Sequence, residues 1–350
     1  MSSATVNFGL VGFGAWGKLH AQSISRTEGA KLGAIIALTK ETRQEARKLY
    51  PDVVVLGDYR DIMEEPDLDI IDVVTPNHTH VEIATAAIAA GKHVLLEKPM
   101  ALSLEDCRGM IAMAAVKKIM LAIGHELRLS SQWEEVKLRI EAGKIGVPQY
   151  VLVELSRRPY RPGADSWRYD RHRVGNWALE EPIHFFDLAR WYLSGHGNPT
   201  TIYATANSID SSRPDLNDNF SAIMRYDSGA YAVISQTLAA FEHHQTVKVS
   251  GTKGAITASW SGVSDRTLTP KFSVMSYDGE SVKEVAIERP SGEVYELDQE
   301  IAMCVRCVQD GTAAIASGED GLWSAGLCLA AEASIARGAV VSLAEFMAGK

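Results

Sequence analysis

Three clusters of residues have types and spacing suited to chemistry. The first is Gly12-x-Gly14-x-x-Gly17, which follows the apolar run Val6 to Val11 and opens a helical pattern reaching about Thr27. In that setting Gly12 permits a tight turn, Gly14 lets backbone approach a pyrophosphate, and Gly17 allows close helix–strand packing. The helix N-terminus then offers N–H groups and a positive dipole end to the anion. Phe13, Ala15 and Trp16 complete the turn. The second cluster is Glu97-Lys98-Pro99, just beyond the apolar run His93 to Leu96. Ligands of an open parallel sheet bind outside the carboxyl ends of its strands, so Lys98 is expected to point into that crevice. A lysine with an ordinary pKa of about 10.4 is a hydrogen-bond donor there, and becomes a base only if burial or a neighbouring cation lowers it. Spacing alone equally allows a strand-end surface pair. The third cluster runs from Gly175 to Asp187. Pro182 suits the first helical position, which puts Glu180 at the helix start and His184 in the first turn. The positive helix end keeps such a histidine neutral and competent as a general base, and Glu180 is near enough to orient it. The residues leave open whether His184, between Ile183 and Phe185, is that base or a core histidine. Asp187 and Arg190 read as an i,i+3 pair.

Positioning these residues requires a particular arrangement of elements. Strand-like and helical stretches alternate from Val6 to Gly124: Leu32 to Leu38, Thr42 to Tyr50, Val53 to Leu56, Ile70 to Val74 stopped by Thr75-Pro76-Asn77, Val81 to Ala90 ended by Gly91, Leu104 to Val116, and Met120 to Ile123. This predicts a Rossmann domain over residues 1–124, a doubly wound parallel sheet buried on both faces. Residues 125–350 read differently. Helices are expected at Trp133 to Ala142 and Pro182 to Leu193, separated by the strand Tyr150 to Leu155 and a polar, arginine-rich loop from Arg157 to Gly175. Period-two runs then follow between Thr201 and Tyr277, and helices at Asp298 to Gln309 and Leu322 to Arg337 close the chain. The expectation is a C-terminal α/β domain built on one large, mostly antiparallel sheet. Such a sheet with one uncovered face needs a partner, so a homodimer or homotetramer is expected.

Cofactor choice is read about twenty residues past the glycines, at the tip of the second strand. There Ile36-Ala37-Leu38-Thr39-Lys40 carries no acid for the ribose hydroxyls, and Glu41 comes slightly late. Thr39 and Lys40 suit a 2′-phosphate, so the reading leans to NADP over NAD.

Composition sets outer limits. A length of 350 residues favours two domains. A net charge of −9 and a pI near 5.6 exclude a nucleic-acid footprint, which would be basic. No apolar run is long enough to span a bilayer, so no membrane association is expected, and Met1 to Asn7 lacks the features of a signal peptide. Four cysteines fit a reducing cytoplasm without a disulfide framework. Cys304-Val305-Arg306-Cys307 reads as two small apolar residues one helical turn apart, since no second pair follows at zinc spacing. No metal is expected, because no ligand cluster at plausible spacing appears, and His243 and His244 of a strand point to opposite faces.

The chain resembles the Gfo/Idh/MocA family, the glucose–fructose oxidoreductases and inositol dehydrogenases. The resemblance covers nearly its whole length. It is carried by the Gly12–Gly17 turn, Thr75-Pro76-Asn77-His78-Thr79-His80, the run Ala90-Gly91-Lys92-His93-Val94-Leu95-Leu96-Glu97-Lys98-Pro99, Gly143 to Gly146, Trp167-Arg168, and Gly175 through His184 to Trp191. The resemblance implies that Lys98 contacts substrate and that His184 is the catalytic histidine. It implies that the Thr75, Pro76, Asn77, His80 and Glu97 region lines the cofactor crevice, and that Arg128, Trp167 and Arg168 face the substrate. It further implies hydride transfer between NAD(P) and a carbinol carbon of a sugar, polyol or related alcohol. Rival readings are a redox-neutral lyase or glycosidase and a non-catalytic cofactor-binding regulator. Where the family carries an Asp four residues before the histidine with a Gly midway, this chain has Glu180 and Pro182; the longer carboxylate alters the pocket floor.

Overall fold

The computed structural model describes residues 5–213, 215–238 and 240–349. By its internal contacts the chain divides into two compact units, one of residues 1–126 with Leu297–Leu322 and the other of Leu127–Glu296 with Trp323–Lys350.

The first unit is a six-stranded parallel sheet. Its strands are β1 (Val6–Val11), β2 (Ala30–Ile36), β3 (Val54–Leu56), β4 (Ile70–Val73), β5 (His93–Glu97) and β6 (Leu121–Gly124), in the order β3-β2-β1-β4-β5-β6. The order reverses at β1/β4, the switch point at which doubly wound sheets take their ligands. The intervening helices are α1 (Gly17–Arg26), α2 (Lys40–Leu49), α3 (His80–Ala89) and α4 (Leu104–Lys117). Near-continuous Val, Ile and Leu runs make β1, β4 and β5 insoluble as exposed strands, and Phe8, Leu10, Ile70 and Leu96 are fully buried.

A division at 124/125 would leave residues 297–322 in the second domain, whereas their contacts group them with the first. The helix there reaches further forward than its apolar pattern suggests, over Glu293–Asp310. Its Ile301, Cys304, Val305 and Cys307 join Phe8, Leu10, Ile24 and Ile35 in one hydrophobic cluster. Asp298 also accepts from Ser23 Oγ (2.6 Å) and Arg26 Nε (2.7 Å) on α1. The Cys304 and Cys307 thiols are free and buried, one turn apart on that apolar face.

The second unit holds a nine-stranded sheet, with one parallel pair at its centre and antiparallel pairs elsewhere. The order is β14-β13-β12-β11-β7-β10-β9-β8-β15. The strands are β7 (Pro148–Arg157), β8 (Thr201–Asn207), β9 (Asn219–Arg225), β10 (Tyr231–Thr237), β11 (His243–Gly251), β12 (Ala255–Gly262), β13 (Lys271–Tyr277), β14 (Val282–Glu284) and β15 (Val341–Ser342). Side chains alternate cleanly between the faces. One face buries Val151, Val153, Leu155, Ala232, Ile234 and Val249 beneath α5 (Ser131–Glu141) and α7 (Pro182–Tyr192). The loop after β7 is more structured than its polarity suggests, with a short helical turn at Ala164–Tyr169 and α6 at Arg171–Val174. Tyr160, Trp167, Val174, Trp177, Leu216 and Leu238 give that loop a hydrophobic cluster of its own. Among the described residues no helix is long and apolar enough to cross a membrane.

Candidate active site

In the first unit the glycine turn has the geometry its spacing requires. Gly12 has φ of 111°, and a Cβ on it would lie 2.1 Å from the Val74 carbonyl oxygen. A Cβ on Gly17 would lie 2.0 Å from the Gly12 carbonyl oxygen, so α1 packs there only without a side chain. A Cβ on Gly14 meets nothing within 4 Å, which leaves its backbone face open to a ligand. The first turn of α1 carries no acidic residue to repel a phosphate. These features fit a dinucleotide pyrophosphate. The neighbours of the glycines divide between core and turn. Gly14 and Ala15 are exposed, whereas Phe13 is buried with its ring edge-on to Tyr50, so only the Phe13 backbone belongs to the turn.

The second-strand tip is arranged for helix capping. Thr39 is the N-cap of α2, accepting from the Thr42 amide (3.2 Å), and the Thr39 amide donates in turn to Thr42 Oγ1 (3.2 Å). Glu41 bonds its own backbone amide and the Thr39 hydroxyl, which lower its pKa. Arg43 donates to the Ala37 and Leu38 carbonyl oxygens (3.0 and 2.6 Å). Leu38, Thr39 and Lys40 remain exposed.

Beyond β4 and β5 the loops are cross-braced. His80 is fully buried, with Nε2 2.8 Å from the Thr75 carbonyl oxygen and Nδ1 2.8 Å from that of Pro99. Burial lowers its pKa despite both contacts. Its ring therefore clasps the two loops together. Asn77 is buried, while Thr75 and Pro76 are half-buried. Glu97 is buried and anchored, and Lys98 is half-buried beside it. Trp16 Nε1 donates to Glu97 Oε1 (2.7 Å), His20 Nε2 lies 3.2 Å from the same oxygen, and the Lys98 amide donates to Oε2 (3.2 Å). Burial alone would raise Glu97, but His20, Lys98 and Trp16 outweigh it and hold the carboxylate below its ordinary pKa.

In the second unit Pro182 is the first residue of α7, and His184 sits buried in its first turn as the spacing predicts. Glu180 accepts from Arg168 Nε, and the Arg168 guanidinium stacks 4.3 Å from the Trp167 ring. These three predicted residues are thus brought together, although Trp167 itself is buried in the loop's aromatic cluster. Arg128 is buried, and its Nε and Nη2 grip the two carboxylate oxygens of Asp187 at 2.7 and 2.6 Å, so it braces α7. Arg190 Nε donates to Asn198 Oδ1 (2.8 Å).

Two further networks had no reading in the sequence. Arg157 pairs with Glu181, and His243 Nε2 lies 3.2 Å from the same carboxylate. His243 is buried and His244 half-exposed, on opposite faces as alternation requires. In the first unit His20 Nδ1 lies 2.9 Å from Asp72 Oδ2, both fully buried. A signal for this pair existed: an acid inside the buried strand Ile70-Ile71-Asp72-Val73 requires a partner. His20, Glu97 and Glu300 bring ligand-type atoms within 4.8 Å of one another, as do Glu181, His243 and Glu293. In the first set the histidine is clamped between carboxylates, and in the second a guanidinium already occupies the charge-balancing place. Both read as hydrogen-bonded ion networks.

A glycine turn opening a helix at the switch point of a parallel sheet, with an anchored Glu-Lys pair at the end of β5, defines a dinucleotide-dependent oxidoreductase. Comparison with known proteins agrees. Residues 6–125 match the model of an oxidoreductase family with an NAD-binding Rossmann fold, and residues 133–257 match the GFO/IDH/MocA C-terminal domain. The uncharacterized oxidoreductase YrbE of Bacillus subtilis (strain 168) is 30% identical over 96% of each chain. Inositol 2-dehydrogenase of Rhizobium meliloti (strain 1021) is 29% identical, with 97% of this chain and 100% of that one covered. The crystal structure of an aldose-aldose oxidoreductase from Caulobacter crescentus, complexed with glycerol, shares the fold with a TM-score of 0.84 at 23% identity, covering 97% of this chain and 99% of that one. The chain belongs to the GFO/IDH/MocA oxidoreductase family.

Proposed function

We propose that this enzyme transfers a hydride reversibly between a nicotinamide cofactor and a carbinol carbon of a sugar or polyol. The observation that carries the reading is the anchored Glu97-Lys98 pair, set at the end of β5 in a domain whose glycine turn is open to a pyrophosphate at Gly14. The inositol 2-dehydrogenase relative, aligned over 97% of the chain, supports the substrate class. When bound, the nicotinamide supplies the hydride acceptor or donor. Lys98 donates a hydrogen bond to the substrate oxygen and stabilises negative charge as it develops there. His184 accepts the hydroxyl proton during oxidation and returns it during reduction. Arg168 and Glu180, paired with each other, offer polar edges suited to a hydroxyl-rich ligand.

The adenosine end of the site supports NADP at least as well as NAD. Glu41, the nearest acid in sequence to the β2 tip, is turned back onto the start of its own helix, while Lys40 is exposed there. The four buried free thiols support action in a reducing compartment such as the cytoplasm. The open face of the nine-stranded sheet supports a homo-oligomer.

The test is nicotinamide absorbance of the purified enzyme with NAD⁺ and NADP⁺ in parallel, across inositols, aldoses and glycosides. Reduction with at least one polyol is expected, with NADP⁺ no slower than NAD⁺. Conversion of a glycoside without net cofactor reduction would replace the dehydrogenase reading with a redox-neutral one.

A further inference from the structure

The group of ionisable side chains behind Glu97 is more than the fold requires. His20, Asp72 and Glu300 are at most 1% exposed, and Glu97 is 6% exposed. Apolar residues of similar volume usually serve stability as well as a buried ion pair or better. The cost of burying these charges therefore calls for a role beyond packing.

The geometry is directional. His20 lies one turn into α1, three residues after Gly17. Its Nδ1 faces Asp72 Oδ2 from β4 at 2.9 Å, and its Nε2 faces Glu97 Oε1 from β5 at 3.2 Å. A ring with one carboxylate hydrogen-bonded at Nδ1 and a second 3.2 Å from Nε2 is favoured as the imidazolium form, whose charge faces both. Burial opposes that charge, yet Asp72 and Glu97 outweigh it and raise the His20 pKa well above its ordinary value. Trp16 of the glycine turn donates to the same Glu97 oxygen at 2.7 Å. The other Glu97 oxygen accepts the Lys98 amide at 3.2 Å. Opposite lies Gly124 of β6, in register with Glu97, and a Cβ there would come within 3.2 Å of the Glu97 carboxylate. The carboxylate is thus held from α1, from the turn, from β6 and from the Lys98 backbone.

We propose that His20 is a positioning residue: backed by Asp72, it fixes the Glu97 carboxylate and so sets the backbone that presents Lys98, linking that lysine to the cofactor-binding turn through Trp16. The inference rests on Lys98 being the substrate-contacting lysine.

The test measures the rate at which Lys98 is acetylated by acetic anhydride in the full-length protein with NADH bound, read by peptide mass spectrometry. The variants are His20→Leu, His20→Gln and Gly124→Ala. His20→Leu removes the donor, and Gly124→Ala crowds the carboxylate without touching any charge. His20→Gln keeps an N–H within reach of Glu97. His20→Leu and Gly124→Ala are expected to speed Lys98 acetylation about threefold or more, as a loosened segment exposes its amine. His20→Gln is expected to restore the wild-type rate, and Lys18 and Lys48 to react unchanged in all three. Lys98 reacting at the wild-type rate in folded His20→Leu or Gly124→Ala would overturn the proposal, since a packing role tolerates leucine. The readout needs no turnover, so it stands apart from the assigned function. Full activity in Lys98→Ala would sink the function while leaving the acetylation result to judge the positioning.

Discussion

At the scale of single residues the enzyme separates groups that act from groups that hold them. Lys98 and His184 are assigned to act, so Lys98→Ala and His184→Ala should each lower kcat by about a hundredfold or more. Circular dichroism and the melting temperature should stay close to wild type; unchanged turnover in both variants would remove the site assignment. Glu300 belongs to the holding set. Burial, with the Glu97 charge second, pushes its pKa up to about 8. A carboxyl raised above its unfolded value of about 4.3 favours folding fully below that value. The contribution is then lost as pH rises through the folded pKa. His20, raised above about 6.5, acts with the same sign at its own higher pKa. The melting temperature should therefore fall between about pH 4 and pH 8, and Glu300→Gln should flatten that fall, because a neutral amide has no proton to lose. An equally steep fall in the variant would show that Glu300 is ionised across the range.

At the scale of elements, the features that position the site are short and specific. The N-terminus of α1 depends on two glycines whose Cβ atoms would strike backbone carbonyls. The start of α7 is fixed by Pro182 and by the bidentate Arg128–Asp187 pair, whose side chains are 4% and 2% exposed. Removing one partner of such a pair strands the other as a buried charge, at a cost of about 3–5 kcal/mol. Denaturant unfolding of Asp187→Ala should show a loss of that order, and Arg190→Ala, which leaves that pair intact, should lose far less. A loss below about 1 kcal/mol in Asp187→Ala would mean that water reaches Arg128.

For the whole molecule, the nine-stranded sheet has a face its own helices leave open. Tyr203, Ile223, Val233 and Leu152 stand side by side across β8, β9, β10 and β7, and Tyr150 lies against Tyr231 with ring centroids 5.0 Å apart. Tyr203, Ile223 and Tyr231 are each about 40% exposed, which is a contiguous stripe and not scattered apolar surface. An apolar face of this kind suits a twofold or dihedral assembly. Light scattering should give a dimer or tetramer for the wild type, and Ile223→Asp with Tyr231→Asp should lower the mass without loss of secondary structure. A monomeric wild type would rule this interface out.

Much of this was legible in the order of residues, because the signals are local. A glycine spacing after an apolar strand, a proline opening a helix, and side chains alternating along strands each depend on a few neighbours in the chain. The parallel sheet, the large antiparallel sheet, the turn at Gly12–Gly17 and the placing of His184 in a first helical turn followed from them. Long-range pairing had no such signal. The capture of residues 297–322 by the first unit depends on which apolar face meets which, and many faces are chemically alike. Arg128 finds its carboxylate partner in Asp187, 59 residues away in the chain. His80 ties two loops together through the carbonyl oxygens of Thr75 and Pro99. The sequence by itself determined the class of domain and the residue types at the chemistry. Only the tertiary structure decided which charged groups neutralise one another, because a buried charge is satisfied by distance in space and not by position along the chain.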